Sequence, residues 1–165
     1  MNELIQTLER NKDDLIESIC NQLQKLNQSH YEMIDYESHH DREEAFLNAF
    51  LDSIQLNSPK HFYEYMEKLA QQRSDEGYSL REVQEAVNIV EQSIWDHLVS
   101  EKPAYFDLIE MLRITVYFFG QAKDHLAQVY LQRAQEAQAD LQGLKQKFFV
   151  YKKEKQDDNA QDDTY

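Results

Sequence analysis

Six histidines are the side chains best suited in this chain to hold a metal or a haem iron. Glu37 and His40 make its one Glu-x-x-His spacing, whereas carboxylate-bridged metal pairs in helical bundles need two such pairs and two further glutamates. His39 and His40 are adjacent, so on a helix they cannot both face one site. With no second ligand cluster, the sequence favours a surface or capping role for these residues and calls for no metal. His97 and His125 fall on long helical patterns and can face inwards. Either could be the axial ligand of a haem, although a partly buried, hydrogen-bonded histidine is the commoner outcome. No cofactor is therefore expected, a haem or metal on His97 or His125 being the alternative. No catalytic residue is assigned.

The other candidates read as structural. Cys20 is the single cysteine and has no internal disulfide partner, which fits a reducing compartment. No base on its own helical turn would lower its pKa, so a redox role is not favoured. Ten tyrosines are present, with aromatic clusters at Phe62-Tyr63-Tyr65 and Tyr117-Phe118-Phe119. They could line a ligand pocket between helices, but large core residues with hydroxyls at the boundary are the plainer reading. Trp95 reads as core or interface. Arg73 stands out, because it lies on an otherwise apolar stripe and needs an acidic partner. Glu91 and Asp96 on the next helix are the candidates. A salt bridge clamping two helices is favoured over ligand binding.

These residues are positioned by helices, and the stretch from Gln72 to Leu98 specifies two of them locally. Gly77 sits where one helix ends, since glycine readily takes the left-handed conformation that closes a C-terminus. Ser79 with Glu82 predicts a capping box at the start of the next helix, and Tyr78 with Val83 a hydrophobic staple. Leu80, Val83, Val87, Val90, Ile94 and Leu98 then fall at helical spacing.

Composition bounds the remainder. The 165 residues suit one domain with a core of its own, and only 3 Gly and 2 Pro favour long helices joined by short connections. A formal net charge of -14, from 31 acidic and 17 basic side chains, repels phosphate backbones and anionic headgroups. Nucleic acid and membrane surfaces are thus not expected partners. No apolar run approaches the roughly 18 residues of a membrane span, and the N-terminus does not resemble a signal peptide. A cytoplasmic location is expected.

Residues 2–26 carry a helical apolar stripe that Asn11 can interrupt as a second N-cap. Tyr31, Met33, Ile34 and Tyr36 suggest a short helix or an ordered connection. Asp41 with Glu44 predicts a capping box opening a helix through Phe46, Phe50 and Ile54. Pro59 starts the helix that leads through Phe62, Met66 and Leu69 to Gly77. After Pro103 a very long pattern begins, tolerating Gly120 at about 1 kcal/mol relative to alanine. That glycine reads as a mark of close helix packing. Past Tyr130 the apolar period tightens to seven: Ala127, Ala134, Leu141 and Phe148 take one position, and Tyr130, Ala137, Leu144 and Tyr151 the other. Such heptads predict an interface with a partner helix, in which Leu141, Leu144, Phe148 and Tyr151 take part. The expected architecture is all-α: a single bundle of five or six helices over residues 1–135, a protruding helical extension over 136–155, and a disordered acidic tail over 156–165.

Arg73, Gly77, Leu80 and Trp95 resemble the pattern of the N-terminal domain of RsbRD-type stressosome co-antagonists, which is also found at the front of some bacterial transcriptional regulators. The resemblance extends over about residues 5–135. It implies an all-helical sensory or regulatory domain with no chemistry of its own. Members usually continue into a STAS or DNA-binding output domain, and here the output is expected from another protein. Together these readings give a non-enzymatic signalling module that works through protein contacts, as a homodimer, with a small ligand as its input. An oligomerising adaptor without sensing is the remaining alternative.

Overall fold

The computed structural model describes residues 2–26 and 36–162, and all its regular structure is helical. Six helices follow in order: α1 Asn2–Arg10, α2 Lys12–Leu23, α3 Tyr36–Gln55, α4 Lys60–Asp75, α5 Leu80–Ser100 and α6 Tyr105–Asp162. The connection sought around Tyr31, Met33 and Ile34 lies outside the described residues. The chain divides into two compact units, Met1–Val129 and Tyr130–Tyr165, and α6 crosses the boundary without interruption. None of the described helices is long and apolar enough to cross a membrane.

The core of the first unit is built from one face of each helix. Leu4 and Leu8 of α1, Ile16 and Ile19 of α2, and Ile94 and Leu98 of α5 are fully buried. Phenylalanines gather where α3, α4 and α6 meet. Phe50 and Phe119 lie 5.1 Å apart between ring centroids at 70°, and Phe46 and Phe62 lie 5.2 Å apart at 87°. These edge-to-face contacts set positive ring edges against negative faces and add to the area buried. Thr115, buried in α6, donates to the carbonyl of Met111 at 2.9 Å, so its hydroxyl is satisfied within its own helix.

Capping explains the helix boundaries, and in two places it differs from what local sequence predicts. α3 begins at Tyr36, so Asp41 and Glu44 lie inside the helix and form no capping box at its start. Glu44 instead accepts from Lys12 Nζ of α2 at 2.7 Å. Asn11 does hold the N-cap position of α2, but its side chain makes no cap bond; it donates to Glu101 at the end of α5 at 3.0 Å. The first turn of α4 is completed from afar: the amide of Phe62 donates to the buried hydroxyl of Ser53 at 2.8 Å. Residues 156–162 are helical although their polar composition argues for an unfolded tail. No glycine or proline after Gly143 interrupts α6.

The joint between α4 and α5 combines two motifs. Gly77 has φ 88°, its amide donates to the carbonyl of Ser74 at 3.2 Å, and the amide of Tyr78 donates to that of Arg73 at 2.9 Å. This pair is the Schellman arrangement, which satisfies carbonyls the helix end would leave open. Ser79 then accepts from the amide of Glu82, whose carboxylate accepts from the amide of Ser79 at 2.7 Å. A Cβ on Gly77 would meet nothing within 4 Å, so only backbone conformation resists substitution. Gly77→Ala should therefore cost about 1–2 kcal/mol, the penalty of a left-handed residue with a side chain, read as a lower denaturant midpoint with an unchanged slope.

Candidate functional site

Three helices enclose one small pocket in the first unit. α3 contributes His39, Arg42, Glu43 and Phe46, which share a face at spacings of three and four. α4 contributes Tyr65, Leu69 and Arg73, one turn apart from each other, and α5 contributes Val83, Ala86, Val87 and Val90. The cavity measures about 30 Å³, room for one or two water-sized groups. Its α5 wall is wholly apolar, while α3 and α4 bring charges to it.

Arg73 is 4% exposed. It pairs with Glu76, three residues along its own chain, and its guanidinium lies 5.1 Å from the centre of the Tyr78 ring. It pairs with neither Glu91 nor Asp96. Glu91 accepts instead from Lys123 of α6 at 2.5 Å. The physical reason is the turn: the Schellman joint folds Glu76 and Tyr78 back over the last turn of α4, where they reach Arg73 before any residue of the next helix can. Burial works against ionisation of Glu76, but hydrogen bonds from Gln72 and Arg73 outweigh it and its pKa is lowered.

Arg42 and Glu43 complete the polar side. Arg42 Nη1 is buried and has no hydrogen-bond partner among the described residues. Its backbone carbonyl accepts from the Tyr65 hydroxyl at 3.3 Å. Burial pushes the Glu43 carboxyl up to about 7, against the opposing pull of Arg73 and Arg42. Burial, followed by the charge of Glu43, also raises the Tyr65 phenol. Local sequence reading missed Arg42 and Glu43, because a cap at Asp41 would place them in a solvated first turn. The signal available was their spacing from Phe46, four and three residues on, which puts them on the buried face once the helix starts earlier.

The remaining candidates are dispersed. His39 is buried in the pocket wall rather than serving as a surface or capping residue, and His40 is half-buried. His97 is half-buried, its Nε2 3.5 Å from the carbonyl of Thr7 on α1. His125 stacks on Tyr63 of α4 at 5.6 Å, with Nε2 4.0 Å from the Glu67 carboxylate. The two thus lie against different helices. Among the described residues no group of three or more His, Cys, Asp or Glu is arranged to hold a metal. Cys20 is buried, and burial followed by the charge of Glu43 raises its thiol to about 11. Leu80 is half-buried in the first turn of α5, and Trp95 is 37% exposed on that helix. In the second unit Leu141, Leu144, Phe148 and Tyr151 are 53%, 63%, 59% and 55% exposed.

No protein-family description matches this chain, and no curated protein does. Among solved structures it is similar to the crystal structure of the sporulation inhibitor pXO2-61 from Bacillus anthracis. The TM-score is 0.65 at 17% identity, covering 79% of this chain and 97% of that one. A likeness at that identity concerns the helical fold.

The Glu43 carboxyl generates a pH prediction. Its folded pKa of about 7 exceeds the ordinary 4.5, so between those values the native state binds the proton that the unfolded state has released. Stability from this group is present at the acid end of the window and lost as pH rises through it. Glu43→Gln should abolish that loss. Chemical denaturation of both proteins across the window should show the variant gaining on the wild type as pH rises; a constant difference would place Glu43 outside the buried cluster.

Proposed function

We propose that this chain is a non-enzymatic bacterial regulatory module that admits a small acidic ligand beside Arg42 and passes the change on through protein–protein contacts. The observation that carries this reading is the buried, unpartnered Nη1 of Arg42. A donor left in that state costs about 1–3 kcal/mol, more when charged, and an anion entering the cavity would remove the cost. A cavity of about 30 Å³ accepts an anionic head; an apolar body would follow only as the walls from α4 and α5 give way. Binding and a shift in the packing of α3 against α4 and α5 are then a single event, so a ligand can select between two packings. Glu43 adjusts the attraction: when protonated, it leaves the charges of Arg42 and Arg73 less opposed.

Further support comes from the exposed apolar strip of α6, which suits a protein partner, and from the fold shared with a protein named as a sporulation inhibitor. On this reading Arg73, Gly77, Leu80 and Trp95 follow the RsbRD-type sensory pattern in role as well as in spacing. The partner is a protein, including a second copy of the chain. Nucleic acid and membrane surfaces are disfavoured by the charge of -14, and the setting is the bacterial cytoplasm.

Thermal unfolding with chloride, formate, acetate or octanoate, each at the same ionic strength, tests the proposal. At least one should raise the melting midpoint, and Arg42→Gln should lose that rise. If none of the four shifts the wild-type midpoint, the ligand reading fails.

A further inference from the structure

We propose that the stretch of α6 over residues 141–155 docks an acidic amphipathic helix of a different protein. This rests on the reading that the chain works through protein contacts, and it names the chemistry of the partner.

The docking strip is apolar and narrow. Leu141, Leu144, Phe148 and Tyr151 recur at spacings of three and four along α6, and each is more than half exposed. Phe149, 72% exposed, widens the strip on the side of Lys145. Two apolar positions in every seven make a face that one helix covers. A partner helix laying its own apolar row here would take these aromatic rings out of water.

The flanks of the strip carry the opposite sign from the chain as a whole. Across residues 141–156, Lys145, Lys147, Lys152, Lys153 and Lys155 are opposed by Glu154 alone, on a chain of net charge -14. The helical register sets Lys145 and Lys152 directly after the row of Leu144 and Tyr151, and Lys147 directly before Phe148. Those flanking positions face the partner's own flanks in a two-helix coil and select which partner fits. Lys145 and Lys147 are both exposed.

The same register disfavours a second copy at this strip. In a parallel pair Lys147 meets Lys152, which cancels what Asp140 gains with Lys145. In an antiparallel pair Lys145 meets Lys152, which cancels what Lys147 gains with Glu154. Carboxylates on the flanks of a different helix would answer all three lysines at once. A bilayer fits less well, because Asp157 and Asp158 follow directly on the lysines. At a rise of about 1.5 Å per residue they lie within a Debye length of Lys155, so an anionic surface that attracts the lysines repels them too. A partner helix can end before they are reached.

Two synthetic amphipathic helices of about three heptads, titrated with the full-length protein and followed by fluorescence anisotropy, test this. Both carry leucine along the apolar row; one has glutamate on its flanks and the other lysine. The glutamate peptide should bind at least about tenfold more tightly than the lysine peptide, although the net charge of the protein opposes it, and its binding should weaken as salt is raised. Lys145→Glu with Lys147→Glu should reverse the preference. Leu144→Ser with Phe148→Ser should lose the glutamate peptide without moving the melting midpoint, since both side chains are exposed. Equal binding of the two peptides, binding of neither, or a preference that survives the charge reversal overturns the proposal. So does a protein that ignores both peptides and sediments with vesicles of phosphatidylglycerol and phosphatidylcholine, which would make the strip a lipid surface. If the peptides fail while the protein dimerises in sedimentation, the acidic partner is wrong and the protein-contact reading stands; if it also stays monomeric, both fall.

Discussion

Keeping the guanidinium of Arg73 out of water sets the terms on which α3, α4 and α5 meet. A buried charge without partners would cost several kcal/mol, more than a local motif can offset alone. Three features meet that cost together: the Glu76 carboxylate, the face of the Tyr78 ring, and the opposing charge of Glu43 on α3. The first two are delivered by the turn at Gly77, because its positive φ brings Tyr78 back over the last turn of α4. Turn geometry and charge burial are therefore one constraint. It fixes the direction in which α5 leaves α4, and hence which of its faces closes the pocket.

The pocket follows from this arrangement. Two arginines and one glutamate border it, while α5 presents only valines and an alanine. Such a set does not collapse into an apolar contact, since bringing Val83 or Val87 onto Arg42 would desolvate a cation without pairing it. Nor is it balanced by its own members: Glu43 answers Arg73 and Arg42 at once, and its raised pKa expresses how far burial prevails over that attraction. Of the polar atoms that border it, Arg42 Nη1 is the one left buried without a partner among the described residues.

α6 serves two environments at once. Up to Val129, Met111, Ile114, Phe118, Phe119, Ala122 and Leu126 face the core, while Ile109, Val116 and Gly120 face outwards. From Tyr130 onward no such buried face remains among the described side chains. The spacing changes accordingly, from the broad apolar face of a globular helix to the narrow seven-residue seam that suits one partner helix.

The chain by itself determines whatever needs only a few neighbouring residues. The Schellman turn and the capping box at Gly77, Ser79 and Glu82 arise between positions less than two turns apart, where the backbone holds the groups in reach before any packing occurs. Helical content, the scarcity of breaks and the change of period along α6 are legible for the same reason. Tertiary structure alone decides the rest. Glu91 and Asp96 look like partners for Arg73 in the sequence, but Glu76 at the turn takes it, and that neither residue of α5 does so depends on how α5 packs against α4. The start of α3 at Tyr36 rather than at Asp41 turns His39, Arg42 and Glu43 from solvated residues into pocket walls. Ser53 caps α4 although nothing adjacent to Pro59 announces it. In each case polar groups of similar chemistry compete, and the winner is set by helix rotation and approach, which are properties of the packed core rather than of any short stretch of chain.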